Sequence, residues 1–450
     1  MIRLLRIVLS AVALLFSAAA VAQTQVIRLF SGGDKCAELT FRVSGEGTVH
    51  VDWGSGVESD YSNGILTGKC STDTVTITMP ATITGFNCEG YCIKWLDVNG
   101  APNLVSLNCA DNRLAALNVD KLTMLDELNC SGNEIDQLST AYNGRLRYLD
   151  CANNFIEALD FSGNPLLEVV SCSGNRLTSL NVGQNNALRG LWAAYNAVGS
   201  VDLSLCPDIS SVMLSHCALH SVALNAPAAL QDLWLDNNLL TTLDLKGTNA
   251  LVTANISNNT LESLDLRNFS SKTKIYLFDC SNNSLPFSSF YPDTKVEHYV
   301  CGLQQTIWCG YDSLVIEELT DFAELVTNAG GTRSGVLTAY DASTGDELLK
   351  GSTGSDYQYL IGRVRFWHEI DSAYFVITAT KYPDLEIRTN SFVVYDPEAT
   401  AIHSPMVNGQ SSNSKCLYDL QGRKINSQFS IFNSQLPKGI YILNGKKILK

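Results

Sequence analysis

The chain has 450 residues, 45% of them hydrophobic and 17% charged, a composition that suits several packed globular domains and excludes a disordered or fibrous polymer. Its net charge of −14 argues against nucleic acid or an anionic membrane surface as the main partner. The sequence holds no GxSxG elbow, no GxxxxGK, no HExxH and no GxGxxG after a strand, and its six histidines are scattered, so neither an enzyme nor a cofactor is expected.

In chain order, residues 1–22 form the first element. Arg3 and Arg6 lead an apolar run from Ile7 to Phe16, and Ala20-Val21-Ala22 supplies a small-residue cleavage site before Gln23. That is the layout of a secretory signal. No cysteine follows the run until Cys36, so lipoprotein anchoring is not indicated, and no other segment is apolar over a length that would span a bilayer. Residues 23–82 alternate like short strands ("ELTFRV", "TVHVDWG", "DTVTITM") between Gly-rich turns, which predicts a small β domain placed to cap whatever follows. Its "VDWGSG", Val51 to Gly56, resembles a turn common in front of repeats in Bacteroidetes proteins.

From Ile83 to residue 309 the chain repeats itself. Coil starts fall at Ile83, Leu104, Leu125, Leu146, Leu167, Leu188, Ile209, Leu230 and Leu251, then, after a three-residue insertion near Ser270 to Lys272, at Ile275 and Val296; apart from that insertion each lies 21 residues after the last. Counting from the start as zero, apolar residues hold offsets three, five, ten, thirteen and fifteen, as in Leu107, Cys109, Leu114, Leu117 and Val119. Asparagine holds offset eight in Asn112, Asn133, Asn154, Asn175, Asn196, Asn238, Asn259 and Asn283, with Tyr91 and Cys217 breaking the column. A buried amide carries donors and an acceptor, so one such residue satisfies the backbone of a tight turn. The pattern LxxLxCxxNxLxxLxV resembles the leucine-rich repeat family, and in its 21-residue, cysteine-bearing form it is similar to internalin-type repeats and those of Bacteroidetes surface proteins. The resemblance implies a solenoid of about ten coils.

Cys88, Cys109, Cys130, Cys151, Cys172, Cys280 and Cys301 share offset five, which lies on the inward face of a strand beside the leucine at offset three. Ala193, Leu214, Leu235 and Ile256 take the same column elsewhere, so this ladder fills space as small hydrophobes do and is not a metal or redox set. The other cysteines, Cys36, Cys70, Cys92, Cys206, Cys217, Cys309 and Cys416, are odd in number. Export would let some pair: Cys36 with Cys70, closing the N-terminal domain, and Cys301 with Cys309, stapling the end of the solenoid.

Residues 310–400 lose the period and carry strand-like runs ("GVLTAY", "RVRFWHE", "AYFVITA", "SFVVYD") at sandwich spacing, an immunoglobulin-like β-sandwich without its disulfide, serving as spacer. Residues 401–450 comprise a polar linker, His403 to Lys415, followed by "LYDLQGRKI" and "LPKGIYILNGKKILK". Leu420, Gly422, Gly439, Tyr441 and Lys450 fall on the marked positions of the type IX secretion sorting domain, which this tail resembles. It is shorter than usual and lacks an upstream Pro-Asn-Pro. The resemblance implies passage across the outer membrane through that machinery, then release or attachment to the cell surface. The expected fold is thus mainly β: a leucine-rich repeat solenoid between an N-terminal β cap and an Ig-like sandwich with a sorting hairpin.

Strand offsets two, four and six face outward onto the concave surface. Offset four is small and polar in Asn87, Asn108, Asn129, Asp150, Ser171 and Asn255, but becomes Trp192, Met213 and Trp234 in three consecutive coils. Tyr195 and His216 at offset seven extend this strip, and Asp232 and Asp236 flank Trp234. An aromatic offers on the order of 150 to 250 Å² of contact, and aromatic anchors ringed by polar groups are the usual form of a binding hot spot. A protein partner fits, as does a sugar whose apolar face stacks on indole while carboxylates accept its hydroxyls; the side chains packing only among themselves is the remaining alternative. The two aspartates sit roughly 13 Å apart by strand rise, too wide for a glycosidase pair. In "HCALH", His216, Cys217 and His220 diverge in direction, so no metal site is expected. The functions that remain are adhesion to a protein on a host or neighbouring cell, capture of a glycan, or a structural surface component without a ligand.

Overall fold

A computed structural model describes residues 24–30, 38–62, 64–72, 74–79, 82–182, 185–225, 227–265, 274–290 and 296–397, together with the backbone of short strands at 417–418, 424–425, 440–443 and 446–449. The signal-like stretch at 1–22, the linker at 403–415 and the tail positions Leu420, Gly422, Gly439 and Lys450 lie outside the described residues. The chain divides into two compact units, Met1–Leu188 and Arg189–Lys450.

In the first unit the coils stack through short parallel strands. Ser106–Asn108, Glu127–Asn129, Tyr148–Asp150 and Val169–Ser171 pair in register, each partner 21 positions on, with Ile83–Asn87 joining Ser106–Asn108. One face of every strand is a leucine or valine with no exposed surface, or nearly none: Leu107, Leu128, Leu149, Val170. Apolar residues 21 apart therefore meet their own kind in the next coil, and the core is continuous along the stack. The free edge of Ile83–Asn87 is taken by Leu39–Gly45, antiparallel, and that strand by Ile65–Gly68. A five-stranded sheet lies beside it, ordered Glu58–Tyr61, Val49–Asp52, Thr74–Met79, Gln25–Phe30 and Trp95–Gly100.

The asparagine column closes each turn. Asn133 is buried and donates from Nδ2 to the carbonyls of Cys109, Cys130 and Ser131 at 3.0, 3.0 and 3.2 Å, while its Oδ1 accepts the Leu114 N–H at 2.9 Å. One side chain thus joins two coils and satisfies four buried backbone groups. A second asparagine ladder, unforeseen in the sequence, runs on the other side of the coils: Asn143 donates to Val119 and Leu122, Asn164 to Thr140 and Asn143, and Asn185 to Asn164.

The second unit continues the same geometry by itself, with Gly190–Trp192, Ser211–Met213, Asp232–Trp234, Thr253–Asn255, Ile275–Asp279 and Val296–Val300 pairing in parallel. Thr253 opposes Leu277, a step of 24, which is the three-residue insertion read from sequence. Beyond Val300 the chain joins a different sheet, ordered Leu303–Ile307, Tyr382–Thr389, Ile370–Ala379, Phe392–Tyr395 and Ser313–Val315, with Val336–Asp341 also on Ile370–Ala379. A three-stranded sheet (Thr320–Asp321, Arg363–Phe366, Tyr357–Tyr359) faces it through Phe366, whose ring lies 6.2 Å from Phe375 and 5.9 Å from Phe392. In the tail, Ile440–Leu443 and Lys446–Leu449 form an antiparallel hairpin that also pairs with Leu417–Tyr418.

The staple expected between Cys301 and Cys309 is not formed, and both are free thiols. The extended strand Leu303–Ile307 between them is about 16 Å long, well beyond the roughly 7 Å that a disulfide allows between Cα atoms. Cys301 stays in the ladder, its thiol pushed up to about 12 by burial, while Cys309 donates to the Tyr311 carbonyl at 3.4 Å. Cys36, the other half of the N-terminal pair, lies outside the described residues; Cys70 is half-buried.

Candidate binding surface

All seven residues of the expected strip belong to the second unit, and the structure brings them together. Trp192, Met213 and Trp234 stand directly opposite one another in consecutive parallel strands, so neighbours are about 4.8 Å apart. Each is half-buried. The Trp192 indole N–H donates to Ser211 Oγ at 3.1 Å, which ties one coil to the next. The Trp234 indole nitrogen is buried and meets no acceptor. Tyr195, 63% exposed, stacks on His216 with ring centroids 4.6 Å apart and planes inclined by 11°.

What the other coils do with offset four explains why these three differ. Asn108, Asn129, Asp150 and Asn255 each accept, on Oδ1, the backbone N–H two residues on, at 3.1 Å in every case. In the sequence this column has the look of free polar surface; in the fold it is an Asx turn that holds the strand end. Trp192, Met213 and Trp234 carry no such oxygen, so the N–H groups of Ala194, Ser215 and Asp236 lose a bond worth roughly 0.5–1.5 kcal/mol each.

Offset seven shows a second departure in the same coils. The backbone there is left-handed in coil after coil: Gly90, Asp111, Gly132, Asn153, Gly174, Asn237, Asn258 and Asn282 all have φ between +51° and +85°. Glycine adopts this conformation freely, and Asn or Asp does so at small cost. Tyr195 and His216 adopt it too, with φ of +58° and +56°, where a bulky side chain is strained by roughly 1–2 kcal/mol. The signal was available in the sequence, since the Gly/Asn/Asp composition of that column marks the conformation.

The carboxylates flank Trp234 as expected but are partly engaged. Asp232 accepts the Thr253 hydroxyl, and Asp236 accepts the Ser215 hydroxyl at 2.5 Å and the Asn237 amide at 2.6 Å. Of the "HCALH" run, Cys217 does the work of the missing ladder asparagine: its buried thiol donates to the Ala193 carbonyl at 3.1 Å, while His220 is exposed. Gln304 plays the same part at the last coil, donating to Cys280 and Cys301 and accepting from Leu285 N–H. The ladder thiols are buried, and desolvation raises those of Cys109, Cys130 and Cys151 well above the ordinary range. No helix among the described residues is long and apolar enough to cross a membrane.

No family model and no curated protein matches the chain. Among solved structures, the functional domain of InlJ from Listeria monocytogenes, whose description notes a cysteine ladder, is similar at 18% identity, covering 73% of this chain and 94% of that one with a TM-score of 0.39. An internalin, InlF, from the same organism is similar at 17% identity over 51% of this chain and 73% of that one, TM-score 0.44. The Leptospira interrogans leucine-rich repeat protein LIC12759 is similar at 16% identity over 49% and 61%, TM-score 0.44.

Proposed function

We propose that this chain is an exported, adhesin-like recognition protein whose repeats bind a protein on a host or neighbouring cell through Trp192, Tyr195, Met213, His216 and Trp234, with Asp232 and Asp236 at the edge of the contact. The observation that carries this is the coincidence of two costs in neighbouring coils. The chain forgoes the Asx bond at Trp192, Met213 and Trp234 and strains the backbone at Tyr195 and His216, and the residues placed there give part of their aromatic or, at Met213, thioether surface to solvent. Strain held where a rule is kept elsewhere in the same repeat marks a place used for something other than folding.

In this reading residues 1–22 direct export, residues 23–82 cap the first coil, and Cys36 pairs with Cys70 in the oxidising compartment. Residues 310–400 are an Ig-like spacer and residues 401–450 address the type IX machinery, leaving the protein secreted or held on the outer surface. Glycan capture is the weaker alternative, because a neutral sugar offers the two carboxylates only the kind of hydroxyl bond that Thr253 and Ser215 already give them, and no compensating charge. The test is the full-length chain screened on arrays of extracellular proteins and of glycans, beside a Trp192→Ala, Trp234→Ala variant of unchanged melting. A protein ligand lost in the variant supports the proposal. A ligand bound equally by both removes the strip as the site, a glycan competed by free sugar favours the alternative, and no ligand at all favours a structural surface component.

A further inference from the structure

Charge on the parallel strands of the second unit is one-sided. The parallel strands from Gly190–Trp192 to Val296–Val300 carry Asp232, Asp279 and Glu297 and neither lysine nor arginine. Glu297 is taken up by Lys274 at 2.8 Å. Asp232 and Asp236 hold only neutral partners, the Thr253 and Ser215 hydroxyls and the Asn237 amide, and among the described residues neither has an ion pair. Arg189 is exposed one residue before the first of these strands, two coils and so about 10 Å from the Trp234 coil. In the first unit Asp126 and Glu168 close on Arg147 at 2.5 and 3.7 Å, while Asp150, like the second unit's pair, holds neutral partners.

Two uncompensated carboxylates therefore straddle an indole that has exposed surface and an unmet N–H. An aromatic face attracts a cation within about 6 Å of its centroid, and flanking carboxylates add to the attraction. We infer that the strip takes a cationic side chain, arginine or lysine on an extended basic segment of the partner protein, laid over Trp234 between Asp232 and Asp236. This rests on the strip being the binding surface. Arginine suits it better than lysine, because a guanidinium stacks on indole while its in-plane donors reach a carboxylate. The two aspartates are roughly 13 Å apart along the strand, so a single side chain does not bridge them; basic residues at alternate positions of an extended segment recur about every 7 Å and serve both. The net charge of −14 steers such a segment toward the protein in the first place.

The experiment titrates full-length protein into labelled octapeptides of alternating Arg-Gly, Lys-Gly, Ser-Gly and Glu-Gly, read by fluorescence anisotropy at low and high salt. The Arg-Gly peptide binds most tightly, its affinity falls at least about tenfold as salt shortens the Debye length from about 14 Å to 4 Å, and Asp232→Asn with Asp236→Asn lowers it about tenfold. Asparagine keeps an acceptor for Thr253 and Ser215 and gives up only the exposed bond to the Asn237 amide, so melting changes little. No binding of Arg-Gly, equal binding of Ser-Gly or Glu-Gly, or equal binding by the Asn pair overturns the inference. Should the array partner be lost with Trp192→Ala and Trp234→Ala but kept with the Asn pair, the strip stands and the cation does not; should the Trp pair bind like the parent, the strip itself is wrong.

Discussion

Replacing Tyr195 and His216 together by asparagine should make the protein more stable while spoiling its surface. Both residues hold φ near +57°, as Asn153, Asn237, Asn258 and Asn282 do at the same offset with φ of +53° to +57°. Asparagine tolerates that backbone because its short side chain bonds locally, so each substitution relieves about 1 kcal/mol of strain. Against this stands the Tyr195–His216 stack, worth about 1 kcal/mol and lost only once however many of its members are removed. Either single substitution should then be close to neutral, and the double variant more stable by about 1 kcal/mol, a rise of about 2 °C in melting for a body of this size. Thermal melting followed by circular dichroism reads the effect, with binding of the array partner measured alongside. A double variant that melts below the parent would refute the reasoning, since it would mean that the left-handed residues carry no strain and that the stack holds the coil.

Three further outcomes follow from the interior. Cys217→Asn should stabilise by about 1 kcal/mol, because an amide N–H bonds the Ala193 carbonyl more strongly than a thiol does; unchanged or lowered melting would count against the ladder account. Burial raises the Asp150 carboxyl above the ordinary carboxylate range, so the folded chain holds that proton more tightly than the unfolded chain and the charge costs stability above the raised pKa. Asp150→Asn keeps the acceptor for the Ala152 N–H and should raise melting at about pH 7, the gain fading as pH falls through that pKa toward about 3. The thiols of Cys109, Cys130 and Cys151, fully buried and far from ionising, should resist an aqueous thiol reagent in the native protein and react once it is unfolded.

The 21-residue period was legible because inward leucines, cysteines and asparagines repeat the same chemistry in each coil; Leu107, Leu128 and Leu149 meet in register as their spacing required. Positions that act through backbone geometry were harder to read. Asn129 looks like a surface amide in sequence and is an Asx cap in the fold, and Asp236 looks free and is held by Ser215. Gln304 does an asparagine's work from a longer side chain, which a search for asparagine alone passes over. The pairing of Cys301 with Cys309 failed because spacing in sequence says nothing of an extended strand between them. The strip itself was found by its residue types, but the reason to credit it, three lost caps and two strained turns, belongs to the structure.

The central claim is that a partner binds across three consecutive coils of the second unit. Hydrogen exchange of the full-length protein with and without its array partner tests this most directly. The account predicts added protection in the segments 190–196, 211–217 and 232–238, with the strands Val336–Asp341 and Ile370–Ala379 unchanged. Protection confined to those two strands, or to the first unit, would contradict it.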